Sequence, residues 1–202
     1  MPSLDELVGL SAQELAAALR NCSVPFAGAE ELFALVLGRV AAREDVRDGL
    51  TALSNMLETL GDPGAVLDAE AVGVLGELLC VYPFEVARLY ARISDASPGL
   101  SPALLAEMAA QLLRFYASAD LRRLSSTFQI SAQSARRTLG YANRFLRRAL
   151  PRAGCADPEA LAAALEKRSG SQLAKTLHRC VEADPGLREA VLGPERSLNL
   201  WI

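Results

Sequence analysis

The chain has 202 residues and 51% hydrophobic content, enough to bury a sizeable core. Its aromatic content is only 5%, Ala and Leu dominate, and β-branched runs are few, which favours helix over sheet. The formal charge is −3, so the chain as a whole is mildly acidic.

That average hides a local anomaly. Residues 114–152 hold nine arginines against Asp120 alone, a formal charge of +8, so the remaining residues carry −11. There are 19 arginines and 2 lysines in all, and base composition could account for that preference but not for the clustering. Cys22, Cys80, Cys155 and Cys180 are widely spaced with no CxxC pair, which fits reduced thiols rather than a disulfide framework or a zinc site. The opening residues lack a basic stretch followed by an apolar run, so no secretory signal is expected. No run of about 18 apolar residues is present, so no membrane span is expected. The setting these features imply is intracellular, cytoplasmic or nuclear.

Taken in order, Ser11 and Glu14 have capping-box spacing and predict a helix to about Asn21. A second helix is predicted over 29–43, with Leu32, Leu35, Val36 and Val40 on one face. A third follows over 44–60, with Val46, Leu50, Leu53, Met56, Leu57 and Leu60 as its stripe. After the turn at 61–64, residues 68–81 are nearly all apolar and predict a helix buried on most sides, ended by Pro83. Residues 84–93 form a shorter helix, and 95–99 a loop. Ser101 followed by Pro102 is an N-cap with Pro at the first helical position, opening a helix to about Tyr116. The basic segment supplies a short helix over 119–128 and a long one over 132–150, followed by a loop over 151–158. Helices over 157–167 and 171–183 complete the set, and Trp201 in the irregular tail at 193–202 is expected to pack back.

The expected fold class is therefore all-α, with about ten helices arranged as antiparallel hairpins. One domain is expected over 1–192, divisible into 1–99 and 100–192. Hairpins beginning near 12, 46, 84, 119 and 157 recur at intervals of 34 to 38 residues. That spacing resembles HEAT or armadillo helical-repeat architecture, and a compact bundle is the competing arrangement.

A second resemblance is local. Leu124, Phe128, Ile130, Ser131, Arg136, Arg137 and Leu139 fall in register with a helix-turn-helix of the winged GntR type, although Gln129 stands where these sequences carry Gly. The resemblance implies that Leu124, Ile130, Ala135 and Leu139 hold two helices together, that Gln133, Ser134 and Arg137 face a major groove, and that Arg122, Arg123 and Arg144 meet phosphates.

Without that resemblance, the long helix is simply amphipathic. Ala135, Leu139, Ala142, Leu146 and Leu150 recur at core spacing, and the arginines fall mostly off that stripe. The cationic side could meet an acidic protein, a nucleic-acid backbone or the chain's own acids. Tyr116, Phe128, Tyr141 and Phe145 are interleaved with the arginines, a pattern that suits stacking on single strands but that helical spacing assigns to the core.

The lone His178 beside Cys180 makes neither a metal set nor a triad, and no phosphate loop, HExxH or GxSxG occurs. No catalytic residue, metal or cofactor is expected. The function expected is that of a non-enzymatic interaction or adaptor protein. Its binding residues would be Arg114, Arg122, Arg123, Gln133, Ser134, Arg136, Arg137, Arg144, Arg147, Arg148 and Arg152. The rival expectation is a DNA-binding regulator using 119–148.

Overall fold

A computed structural model describes residues 4–20, 22, 26–57, 59–60, 63–118 and 132–154. Among them the protein is all-helical, with no β-strand. The helices are α1 (Leu4–Val8), α2 (Ala12–Leu19), α3 (Ala29–Ala41), α4 (Val46–Met56), α5 (Ala69–Leu79), α6 (Pro83–Ala96), α7 (Pro102–Ser118) and α8 (Ala132–Arg152), with a 3-10 turn at Pro63–Val66. The helices expected at 119–128, 157–167 and 171–183, and the tail with Trp201, lie outside the described residues, as do Cys155, His178 and Cys180.

The starts of these helices follow from local chemistry. Ser11 caps α2: the Glu14 amide donates to Ser11 Oγ (3.3 Å), and the Ser11 amide donates back to Glu14 Oε2 (3.0 Å). Hydrogen bonds from the Ser11 side chain and backbone hold the Glu14 carboxyl below its ordinary value. Asp68 caps α5 through the Ala71 amide (2.8 Å), and Ser101 caps α7 through the Leu104 amide (3.2 Å). Gly28 precedes α3 at φ +85°, and a Cβ there would stand 2.7 Å from Leu4 Cδ2. The left-handed φ demands glycine, and any side chain there would also have to displace Leu4.

The stripe predicted for α4 is buried throughout, including Leu50, Leu53 and Met56 at 0% exposure. Three other expectations are corrected. On α3, Leu35 is 38% exposed and Phe33 takes the core position. At about 100° per residue, Phe33 falls only about 20° from Val40, whereas Leu35 falls about 60° beyond Leu32 on the other side of the stripe. On α5, one face is open: Glu70, Gly73 and Glu77, with Cys80 at the C-cap, are all exposed, opposite the buried Val72, Leu75 and Leu79. Finally, Pro83 does not terminate α5, which ends at Leu79. It occupies the first turn of α6, where its missing N–H costs nothing.

Packing follows a regular order. Helix α2 packs on α4, α4 on α6, and α6 on α8. Helix α3 packs on α4, α5 on α6, and α7 on α8, while α5 also packs on α7. Helices α5, α6, α8 and α7 thus form a square in which α5 and α8 stand at opposite corners. Tyr90 and Phe145, both fully buried, meet across α6 and α8 with ring centroids 5.6 Å apart. Phe84 and Tyr141 meet edge to face at 5.7 Å. These pairs advance together along both helices, so α6 and α8 run parallel.

Candidate functional site

Helix α8 carries the described part of the basic segment. Leu139, Ala142, Phe145, Leu146, Ala149 and Leu150 are buried, which accounts for the predicted stripe from Leu139 onward and adds Phe145 and Ala149 to it. The helix is continuous for 21 residues, and Pro151 and Arg152, expected in a loop, form its last turn. Gly154 follows at φ +82° and ends it.

The opposite face is cationic. Arg137, Arg144, Arg147 and Arg148 are exposed, with Gly140 among them. Among the described residues, a Cβ on Gly140 would meet nothing within 4 Å. Arg114 lies on α7, and Gln133, Ser134 and Arg136 lie on the opening turns of α8. Arg122 and Arg123 lie outside the described residues, as do the proposed first helix of the turn motif and the aromatic Phe128.

Three arginines spaced four residues apart reach across to the end of α6. Arg144 pairs with Asp95 Oδ2 (2.5 Å), and Arg148 pairs with Asp95 Oδ1. One turn on, the Arg152 guanidinium donates to the carbonyls of Ser97 (3.1 Å), Pro98 (2.8 Å) and Leu100 (3.3 Å). The sequence places Asp95 in a loop, but α6 continues to Ala96 and Asp95 sits in its last turn. A carboxylate there opposes the helix dipole, and two guanidinium groups offset that opposition. Two cations on one carboxylate leave a net positive unit at the surface.

An acidic counterpart, not among the residues expected to bind, lies on α5. On α5 the exposed Glu70, Gly73, Glu77 and Cys80 follow one another at the same spacing as Arg137, Gly140, Arg144 and Arg147 on α8. The signal was present in the sequence as acids and glycine at helical intervals between the apolar positions. Glu77 also pairs with Arg43 (2.7 Å), with 70% of its side chain exposed.

Among the described residues no three His, Cys, Asp or Glu side chains form a set that could hold a metal ion, and no helix is long and apolar enough to cross a membrane. The fold and surface define an all-helical protein with a cationic helix face. No family model matches the chain, and neither the curated proteins nor the solved structures include a significant match.

Proposed function

We propose that this chain is a non-enzymatic interaction or adaptor protein whose basic segment, residues 114–152, docks an acidic partner. The observation that carries this reading is the division of labour on α8. One face is fully committed to the core, and the other presents Arg137, Arg144, Arg147 and Arg148 to solvent. Such a row of guanidinium groups attracts carboxylate or phosphate surfaces and orients them. The succession α2, α4, α6, α8 in one layer supports a repeat-like stack of hairpins within one domain, an architecture that offers extended faces to partners. The exposed free thiol of Cys80 fits a reducing intracellular setting.

A DNA-binding regulator is the second reading. What favours it is that α8 begins at Ala132, where the helix-turn-helix resemblance starts its reading helix. Against it, α8 runs unbroken for 21 residues with one face packed on α6 and α7 from Thr138 to Leu150, instead of stopping after a few turns.

The test is a salt titration of the full chain against fluorescein-labelled polyglutamate and a duplex DNA. Docking predicts binding at low salt that weakens as salt rises and is lost on Arg147→Glu with Arg148→Glu, the fold remaining intact by circular dichroism. No binding to either probe at low salt overturns the proposal. Sequence-selective duplex binding that is lost on replacing Arg136 and Arg137 replaces it with the second reading.

A further inference from the structure

We propose that the acidic partner is a second copy of this chain, whose α5 stripe lies against the α8 stripe of the first. This inference rests on the docking reading above and names the occupant of that surface.

Charge and spacing carry it. Glu70 and Glu77 are seven residues apart on α5, and Arg137 and Arg144 are seven residues apart on α8. At ~1.5 Å rise per residue both pairs span about 10.5 Å, so two helices laid side by side bring both acids to both arginines. All four side chains belong to exposed residues. The match holds whether the helices run parallel or antiparallel, because the two stripes have the same interval.

The glycines supply a second observation. Gly73 and Gly140 each sit inside their stripe, between the paired charges. A Cβ on either would meet nothing within 4 Å, so no close contact among the described residues demands a glycine there. A glycine in a helix interior weakens the helix, and what it offers in return is close approach by another backbone. Gly38 is similarly unencumbered on α3, but its exposed neighbours Ala34, Leu35 and Ala41 carry no charge. It serves as the control position.

Topology decides between pairing within one chain and pairing between two. Helices α5 and α8 occupy opposite corners of the α5–α6–α8–α7 square, each packed on both α6 and α7. Their open faces therefore point away from each other and cannot meet within one molecule. Between molecules they meet head to tail, α5 of one copy on α8 of the next. Such a contact uses two different patches, so it builds a ring where the rotation closes and an open chain where it does not, and the mass rises with concentration. The acidic excess elsewhere in the chain also disfavours a long polyanion such as DNA more than it disfavours one short acidic helix.

The experiment is sedimentation velocity of the full chain over a concentration series, in about 20 mM and about 0.5 M salt. The expected result is a mass that grows with concentration at low salt and returns to monomer at high salt. Glu70→Arg with Glu77→Arg, and separately Arg137→Glu with Arg144→Glu, should each be monomeric alone, and mixing the two should restore association. Because Arg144 also holds Asp95, Gly140→Leu provides a second route. It leaves every charge in place and should abolish association, while Gly38→Leu should not. A wild-type chain that stays monomeric at low salt up to about 10⁻⁴ M, or a Gly140→Leu variant that associates as wild type does, overturns the proposal. If the monomeric chain still binds polyglutamate, the self-pairing fails and the docking reading stands. If it binds neither polyglutamate nor duplex DNA, both fall.

Discussion

Helices α5 and α8 stand at opposite corners of one four-helix square, expose the same stripe spacing and carry opposite charge, yet they are held in place by different means. Helix α8 is anchored by rings and guanidinium groups: Phe145 against Tyr90, Tyr141 against Phe84, and Arg144, Arg148 and Arg152 at the end of α6. Helix α5 is anchored by aliphatic side chains and one polar reach. Gln111 on α7 donates from Nε2 to the carbonyl of Val72 (3.1 Å), and its Oε1 accepts from the buried Tyr90 hydroxyl (2.5 Å). That amide fits because residue 76 is glycine; a Cβ there would stand 2.5 Å from it. The difference teaches that the inner face carries most of each helix's stability, with Arg144 and Arg148 on the outer face of α8 adding a solvent-screened contact at Asp95. Outer-face substitutions should therefore change association with little effect on folding, and inner-face substitutions should do the reverse.

The strongest way to break this separation is on the inner face of α8. Phe145→Ala should cost about 3–5 kcal/mol in urea unfolding, because a fully buried ring is removed from between α6 and α8. A loss below about 1 kcal/mol would mean that the aromatic contacts do not anchor α8. The corresponding change for α5, Gln111→Ala, should cost about 1–3 kcal/mol, since the Tyr90 hydroxyl loses its acceptor. Tyr90→Phe in the Gln111→Ala background should then cost less than Tyr90→Phe in the wild type, because the hydrogen bond the two side chains share is already lost.

Asp95 lies where the two faces join. Its side chain is 24% exposed and its partners Arg144 and Arg148 are about half exposed, so the pairing is well screened by solvent. Asp95→Asn should cost no more than about 1 kcal/mol, and it removes a carboxylate that opposes the α6 dipole. It should at the same time strengthen salt-sensitive binding of polyglutamate by freeing two guanidinium groups. Unchanged binding would show that the arginines are already available to a ligand.

Much of this was legible in the sequence, for identifiable reasons. Ser11 with Glu14, Asp68 and Ser101 mark helix starts through chemistry confined to a few residues, and the stripe from Val46 to Leu60 follows helical period alone. The all-helical class and the long helix starting at Ala132 follow in the same way. What escaped depends on contacts distant in the chain. Asp95 reads as part of a loop because DASPG is turn-rich, and it is held in a helical turn by arginines about 50 residues later. Helix α5 reads as buried on most sides because glycine counts as non-polar in the pattern, whereas Gly73 lies on the open face between two glutamates. The cationic face itself was visible as a charge excess, but its matching acidic stripe emerged only when α5 was seen to expose one side.

The smallest expected effects discriminate most finely. Gly38→Ala, Gly73→Ala and Gly140→Ala should each stabilise the fold by about 0.5–1 kcal/mol, since each glycine is helical, exposed and without a neighbour within 4 Å of an added methyl. On folding alone the three positions are equivalent, and thermal unfolding of dilute protein should rank them together. They separate when the chain is concentrated at low salt. Alanine at 73 or 140 inserts a methyl between helices that pair through glycine, which should weaken association, whereas alanine at 38 should leave it unchanged. Three variants with equal stability gains and equal association would show that the glycines of α5 and α8 serve no close approach. Equal gains with association lost at 73 and 140 alone would tie both stripes to one contact, because no change in folding stability could account for the difference.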